Sequence, residues 1–221
     1  MTTLPQDIKE RFYKTIEGDI SPADFEQWLY ADKEVANHLD PDDYLELVSF
    51  GFKKSGARYE LGALLKKHIN AEEYETYKML ELLYEARLKN KRLPYILMEL
   101  YDLYCRGYDF LIDLGLGIGL AIQVPTVKYA SAETWDELTP RQQKELIESF
   151  SPELEESIEQ LIHWLEAKEI VLTGEQNHIG HYIYRDQRTE EEKKSRFWVA
   201  ITGDESADLP RRKNILWDRL V

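Results

Sequence analysis

The sequence predicts an α+β fold that is mainly α, with about eight helices and a small C-terminal antiparallel β-sheet or hairpin. Four Ser-Pro, Asp-Pro or Thr-Pro pairs mark helix starts. Apolar residues recur at steps of three and four through most of residues 1–168. Runs of β-branched and aromatic residues come only later. We therefore expect a single domain over 1–221, with a helical region at 1–168 and a small β-containing region at 169–221.

The four proline-containing pairs predict helix starts for a shared physical reason. The side chain before the proline accepts a hydrogen bond from a free backbone amide of the first turn. The proline takes the first helical position, where a missing amide costs no hydrogen bond. The pairs are Ser21-Pro22, Asp40-Pro41, Thr139-Pro140 and Ser151-Pro152.

The first ninety residues are predicted to be almost entirely helical. Gly18 ends the first helix, and Ala71–Leu88 keeps its 3.6-residue period through Tyr74, Tyr77 and Tyr84. A portion of Pro41–Phe50 also fits an extended strand. The expected helical segments are Leu4–Glu17, Pro22–Ala31, Pro41–Phe50, Ala57–Ile69 and Ala71–Leu88, with a short piece at Lys33–Leu39 that is given no assignment.

The most apolar stretch, Leu93–Val127, is predicted to contain a central helix that is buried on several sides. One stripe of this helix is charged if the helix continues through Gly107. The stripe has two interpretations, a carboxylate cluster that lines a pocket or the solvent-facing edge of the helix. Its members are Glu99, Asp102, Arg106, Asp109 and Asp113.

The second half combines two helices with strand-forming runs. The helices are expected at Pro140–Ser149 and Pro152–Ala167, and the turn-forming stretch 174–180 follows the first strand. A short helix is also expected in the tail, where it would bury Ile215, Leu216, Trp217 and Leu220. The predicted strands are Ile170–Leu172, His181–Tyr184 and Phe197–Ile201.

The charge balance is strongly acidic and limits the classes of partner. The chain has 28 Lys and Arg against 42 Asp and Glu, for a net charge of −14. Such a chain should repel nucleic acid and anionic membranes and attract basic partners. Residues 131–170 carry 11 acidic residues against three basic ones, which fits either a solvated surface or a binding surface with aromatic anchors. The expected contact residues are Trp135, Asp136, Glu137, Glu155, Glu156, Glu159 and Glu166, with Trp164 either an anchor or a core residue.

The sequence offers weak candidates for cofactor and catalytic sites. Gly115, Gly117 and Gly119 have the wrong spacing for a dinucleotide loop and are better explained by close helix packing or a helix end. The single cysteine, Cys105, is expected to be a small core residue. His178 lies with Glu175 and His181 in a predicted turn that has no cysteine nearby, so a solvated turn is favoured over zinc. We expect no cofactor, metal or catalytic residue.

Three features of the sequence predict a cytoplasmic protein. The N-terminal stretch MTTLPQDIKERF has no apolar signal region. The longest uncharged run, Leu114–Val127, has 14 residues, whereas a bilayer span needs about 20. A lone cysteine also fits a reducing compartment.

Several phrases of the sequence resemble those of a known class of bacterial proteins. They are DFEQWLY (24–30), DDYLELVSFGFKKSGARYELGALLKKHI (42–69), LYDLYCRGYDFLIDLGLGIGL (100–120), WDELT (135–139) and HWLEAKEIVLTGEQ (163–176). Together they resemble immunity-type proteins, which are small, acidic and cytosolic and are encoded beside polymorphic or contact-dependent toxins. The resemblance implies a protein without enzymatic activity that binds one toxin domain and blocks it.

Three functions fit these observations. The first is an immunity protein whose acidic surface occludes the basic cleft of a cognate toxin, such as a nuclease. The second is a small hydrolase-like enzyme that uses the carboxylate stripe on the central helix. The third is a protein that assembles with itself through Tyr74, Tyr77 and Tyr84, and the oligomeric state is left open.

Overall fold

The computed structural model describes residues 4–197 of the chain. In this range the chain forms ten α-helices and one two-stranded antiparallel sheet near its C-terminal end. The predicted mainly helical α+β fold is thus confirmed. The chain separates into two compact units between Tyr74 and Glu75, and each is described by itself. The single domain over 1–221, with its helical region at 1–168 and its β-containing region at 169–221, stays a prediction.

The N-terminal unit contains five α-helices and the start of a sixth. Gly18, with φ of 88°, ends the first helix as predicted. Ser21 accepts a hydrogen bond from the Asp24 amide, and Asp40 accepts one from the Asp42 amide, so both predicted proline-containing starts are confirmed. The helices are α1 (Gln6–Glu17), α2 (Pro22–Ala31), α3 (Glu34–His38), α4 (Pro41–Val48) and α5 (Ala57–Leu65), followed by a 3-10 turn at Lys66–His68.

The core of the N-terminal unit forms where α1, α2, α4 and α5 meet. Phe12 of α1 lies 5.8 Å from Phe25 of α2, measured between ring centroids, and both rings are fully buried. Leu47 of α4 and Leu61 of α5 belong to the same cluster. Each such side chain contributes about 1.5–3 kcal/mol when it is removed from water. α4 is therefore a helix with Leu47 on the side that faces the core, and its opposite side faces solvent.

The C-terminal unit is built around the apolar stretch of the sequence. α6 (Ala71–Arg87) contains the boundary between the units, and α7 (Leu93–Cys105) follows it. The rest of the apolar stretch forms a 3-10 turn at Asp109–Leu111, a π-helical segment at Ile112–Gly119 and α8 (Leu120–Gln123). The remaining elements are 3-10 turns at Pro125–Val127 and Trp135–Glu137, α9 (Pro140–Glu148), α10 (Glu153–Glu166), β1 (Ile170–Gln176) and β2 (Tyr182–Asp186).

The central helix does not continue through Gly107. α7 ends at Cys105, and Gly107 adopts φ of 118°, a left-handed conformation that stops the helix. The chain then reverses, and the π-helical segment packs antiparallel against α7. Gly115 faces Leu100 and Tyr104, while Gly119 faces Leu97 and Tyr101. A Cβ atom at Gly115 would lie only 2.8 Å from the Leu100 carbonyl oxygen, so the prediction of glycines for close helix packing is confirmed.

The helices before the sheet start in two different ways. Thr139 forms the predicted cap of α9, and the Gln142 side chain completes a reciprocal capping box. The cap predicted at Ser151 is wrong, because Pro152 itself occupies the cap position of α10. The Ser151 hydroxyl instead donates to a Glu155 carboxylate oxygen at 2.7 Å.

The two strands form an antiparallel hairpin in the predicted place. Leu172 pairs with Tyr184, and an irregularity in register precedes the pair Gln176 and Tyr182. The Tyr182 amide donates to the Arg106 carbonyl at 2.8 Å, which fastens β2 to the end of α7. The predicted strand Phe197–Ile201 and the predicted tail helix lie outside the described residues, apart from Phe197.

Candidate partner-binding surface

The acidic side of α10 is the first candidate that the sequence predicted. Leu154, Ile158 and Leu161 are buried in the core of the C-terminal unit. This burial turns the glutamates between them away from the core, as the 3.6-residue period requires. Glu155 is half-buried, whereas Glu156, Glu159 and Glu166 are exposed.

Each of these four glutamates already has a partner within the C-terminal unit. Lys89 pairs with Glu155, and the resulting hydrogen bond holds the pKa of that carboxyl below its ordinary value. Arg196 pairs with Glu156, and the Arg87 guanidinium lies 3.6 Å from Glu159. Surface pairs of this type contribute about 0–1 kcal/mol each. A basic partner can therefore replace these ion pairs at a small cost in free energy. Each new pair also adds little to the binding free energy.

Glu166 is held by a tyrosine rather than by a cation. The Tyr84 hydroxyl donates to Glu166 at 2.6 Å, and this hydrogen bond, followed by burial, raises the pKa of Tyr84. The contact ties the last turn of α10 to α6. Glu166 thus has a local structural role on the surface where the sequence placed a partner contact.

The expected aromatic anchor Trp135 is a core residue. Its side chain is only 8% exposed and belongs to the apolar cluster of the C-terminal unit. The 3-10 turn Trp135–Glu137 folds the indole inward, and the Gln143 amide donates to the Trp135 carbonyl at 3.1 Å. The assignment of Trp135 as an exposed anchor needs correction, because an aromatic residue in a polar loop is buried when that loop lies on the core.

The two acidic neighbours of Trp135 remain exposed. Asp136 accepts a hydrogen bond from the Tyr95 hydroxyl at 2.9 Å. Glu137 accepts one from the Glu133 amide at 2.7 Å and so closes its own loop. Both carboxylates thus stabilise the loop that buries Trp135.

Trp164 is also a core residue, with 7% of its surface exposed. The Arg188 guanidinium covers its ring at 4.3 Å from the ring centroid. Arg188 in turn donates two hydrogen bonds to Asp186, at 2.9 and 2.7 Å. The acidic surface at 131–170 therefore keeps its charge, but neither of its tryptophans is available to a partner.

The carboxylate stripe of the enzyme hypothesis does not form one face of one helix. Glu99 and Asp102 lie exposed on α7, whereas Asp113 lies beyond the reversal at Gly107. Asp113 accepts hydrogen bonds from the Ser195 hydroxyl and the Phe197 amide. The Arg106 guanidinium covers the Tyr182 ring at 4.6 Å. The predicted stripe was conditional on a helix through Gly107, and that condition is not met.

Residues singled out for metal or thiol chemistry have ordinary surroundings. Within residues 4–197, no group of three or more His, Cys, Asp or Glu side chains is placed to hold a metal ion. Glu175 and His178 are exposed at the tip of the hairpin. The prediction that Cys105 is a core residue is wrong, because this thiol is exposed at the last position of α7.

Sequence reasoning missed a second acidic surface, in the N-terminal unit. Residues 19–46 contain nine Asp and Glu against one basic residue, Lys33. Two large apolar side chains are exposed in this segment, Tyr30 at 55% and Leu45 at 60%. A charge count along the whole chain would have found the segment, but the exposure of Leu45 required knowledge of which side of α4 faces the core.

Comparisons with protein-family models, with curated proteins and with solved structures find no match. None of the helices between residues 4 and 197 is long and apolar enough to cross a membrane. The assignment of function therefore depends on the charges and contacts described above and on the resemblance of the sequence.

Proposed function

We propose that this chain is an immunity-type protein that binds a basic toxin domain and neutralises it by occlusion. The observation that carries the proposal is the net charge of −14, which is concentrated in two acidic segments, 19–46 and 131–170. One segment belongs to each unit. The resemblance of the sequence to immunity-type proteins supports the same function. No reaction is needed, because occlusion of a cleft is enough to block a toxin.

Charge of this size acts before contact is made. A strongly acidic protein draws a basic partner toward it and raises the association rate by about 10- to 1,000-fold at low salt. Such steering depends on the summed field and does not require unpaired carboxylates. The paired Glu155, Glu156 and Glu159 thus contribute to steering even though each has a neighbouring cation.

Contact then requires the exchange of surface ion pairs. Lys89, Arg196 and Arg87 pair with these glutamates on the surface of the C-terminal unit. A cationic cleft with several Lys or Arg side chains replaces them at small net cost, since pairs of this type are weak. The proposed contacts on this surface are Asp136, Glu137, Glu155, Glu156, Glu159 and Glu166.

The direct test is protection of bacterial growth. The chain is co-expressed with each basic domain that the genes beside its own encode, and the purified proteins are mixed and analysed by size-exclusion chromatography with light scattering. We expect restored growth and a stable complex. A toxin that still arrests growth, with no complex formed, would refute the proposed function.

A triple charge reversal tests the surface on α10. The variant E155K/E156K/E159K should slow association and make it less dependent on salt. The matched control is E175K/E190K/E191K, which makes the same change in charge at exposed positions of the same unit, outside the acidic segment. Equal association kinetics for the two variants would show that α10 is not part of the interface.

A further inference from the structure

We infer that the solvent-facing side of α4, together with Tyr30, is a docking surface for a basic segment that presents a bulky apolar residue between Lys or Arg side chains. This inference rests on the proposed function and identifies the region of the chain that holds the toxin domain. The surface, called here the α4 face, consists of Tyr30, Asp42, Leu45, Glu46 and Ser49.

The spacing of the α4 residues places them on one side of the helix. Asp42, Leu45, Glu46 and Ser49 follow one another at steps of three, one and three, so they are neighbours on the helix surface. All four are exposed. Leu47, on the opposite side, is fully buried in the core of the N-terminal unit. The core thus fixes the rotation of α4 and leaves Leu45 facing solvent.

Tyr30 extends this surface from the last turn of α2. Its hydroxyl donates to the Val48 carbonyl at 3.1 Å, at the C-terminal end of α4. The carbonyls of this last turn have no partner within the helix, so the tyrosine satisfies one of them. The bond also holds the Tyr30 ring in place while more than half of the side chain stays exposed. An anchor that is fixed in advance loses less conformational entropy when a partner binds.

The sequence segment that contains these two apolar residues, 19–46, has nine acidic residues against one Lys. Several of the carboxylates serve the fold, because Asp40 caps α4 and Asp43 lies 3.6 Å from the imidazole of His68. Glu46 lies 3.3 Å from the Lys67 ammonium in an exposed pair. The segment still has a large excess of negative charge, and this complements a cationic partner.

The α4 face combines exposed apolar side chains with acidic ones, whereas the α10 surface is acidic and its tryptophans are buried. Protein interfaces join apolar or aromatic anchors to a polar rim, and most of the binding energy comes from the anchors. On α10 the acidic rim is present, but Trp135 and Trp164 are buried. On the α4 face, Tyr30 and Leu45 are exposed beside Asp42 and Glu46. The two surfaces therefore differ in composition, because both are acidic and only the α4 face also exposes apolar anchors.

The test uses a labelled amphipathic peptide of repeated Lys and Leu residues as the probe, with binding followed by fluorescence anisotropy. Wild type should bind the peptide, and Leu45→Ser and the pair D42K/E46K should each weaken binding about tenfold, as expected for an interface residue that contributes about 1.4 kcal/mol. The control for the apolar change is Leu88→Ser, because Leu88 is 73% exposed in the C-terminal unit. The control for the charge change is E190K/E191K, at two exposed positions of that unit outside both acidic segments.

The outcomes separate a specific surface from general charge attraction. Circular dichroism must show that every variant is folded, which is expected because all substituted side chains are exposed. If wild type does not bind the peptide, or if both controls weaken binding as much as the α4 variants do, the docking surface is refuted. A concentration-dependent native mass that Leu45→Ser abolishes would also overturn it, since the face would then join two copies of this chain.

The same variants distinguish this inference from the proposed function. If D42K/E46K still neutralises the toxin domain as well as wild type does, the α4 face is refuted while the immunity function stands. If wild type fails to neutralise the toxin domain, the immunity function is refuted, and the peptide experiment alone decides whether the face binds basic segments.

Discussion

The carboxylate of Asp113 accepts a hydrogen bond from the Ser195 hydroxyl at 2.6 Å, across 82 positions of sequence. The same oxygen accepts a second hydrogen bond from the Phe197 amide at 3.1 Å. Asp113 therefore fastens the chain after the hairpin to the π-helical segment. This contact assigns a structural role to a residue that the sequence placed in a candidate catalytic stripe.

Loss of the Asp113 carboxylate should destabilise the C-terminal unit. Asp113→Ala removes the acceptor of the hydrogen bonds from the Ser195 hydroxyl and the Phe197 amide, and we expect a loss of about 1–3 kcal/mol in the free energy of unfolding. Urea denaturation measures the change. Asp113→Asn is the control and should cost less, because its amide oxygen still accepts. Equal stability of wild type and Asp113→Ala would contradict this role.

The ion pair between Asp186 and Arg188 should show strong coupling. Arg188 is buried between Asp186 and the Trp164 ring, so Arg188→Met removes the main partner of the half-buried Asp186 carboxylate. Breaking a fully buried pair costs about 3–5 kcal/mol, and we expect a smaller loss here because Asp186 keeps 19% of its side chain exposed and lies near Lys193. The double variant D186N/R188M should recover much of this loss, and a double-mutant cycle from urea denaturation measures the coupling. Additive effects of the two single substitutions would show that the pair is not coupled.

The same pair predicts a dependence of stability on pH. Burial, the largest single effect, raises the pKa of Asp186, but the hydrogen bonds and charge of Arg188 together outweigh it and hold the pKa below its ordinary value. A carboxyl whose pKa is lower in the folded state than in the unfolded state stabilises the fold at pH values above its unfolded pKa of about 3.9. This stability should be lost as pH falls through the folded pKa. Unfolding of wild type and Asp186→Asn, compared from pH 7 to pH 2, should show a difference that shrinks toward acid pH.

At the glycines of the π-helical segment, substitution by alanine should destabilise the C-terminal unit. A Cβ atom at Gly119 would overlap the Leu97 carbonyl oxygen and the Tyr101 side chain, so Gly119→Ala should cost about 1–3 kcal/mol by overpacking. The control is Gly62→Ala in α5, where the nearest atom lies 4.0 Å away. There the better helix propensity of alanine should add about 0.5–1 kcal/mol. Thermal unfolding that shows the same sign for both variants would contradict the role of close packing.

Local chemistry explains which elements of the fold were predictable. The Ser21, Asp40 and Thr139 caps act within one turn of helix, so the sequence alone predicts α2, α4 and α9. The end of α7 was missed because charged residues keep a helical spacing across Gly107 by coincidence. The backbone of Gly107 adopts its left-handed conformation where it packs closely on His181 and Tyr182, which are distant in sequence.

The candidate site was harder to predict, because it depends on which side of an element faces the core. Nothing local to Trp135 indicates that its loop lies on the C-terminal core, so its ring was expected at the surface. Leu45 presents the opposite case, since it is an apolar residue of an amphipathic helix and is nevertheless 60% exposed. The excess of acidic residues was predictable from composition, but the exposure of Tyr30 and Leu45 was not.

The most direct test of the proposed immunity function is the association rate constant of wild type with the basic domain that it neutralises in the growth test, measured by stopped-flow fluorescence over a range of salt concentrations. We predict fast association that slows steeply as salt rises, because the Debye length shortens from about 30 Å at 0.01 M to about 8 Å at 0.15 M. A complex whose association rate does not change with salt, or the absence of any complex, would contradict it.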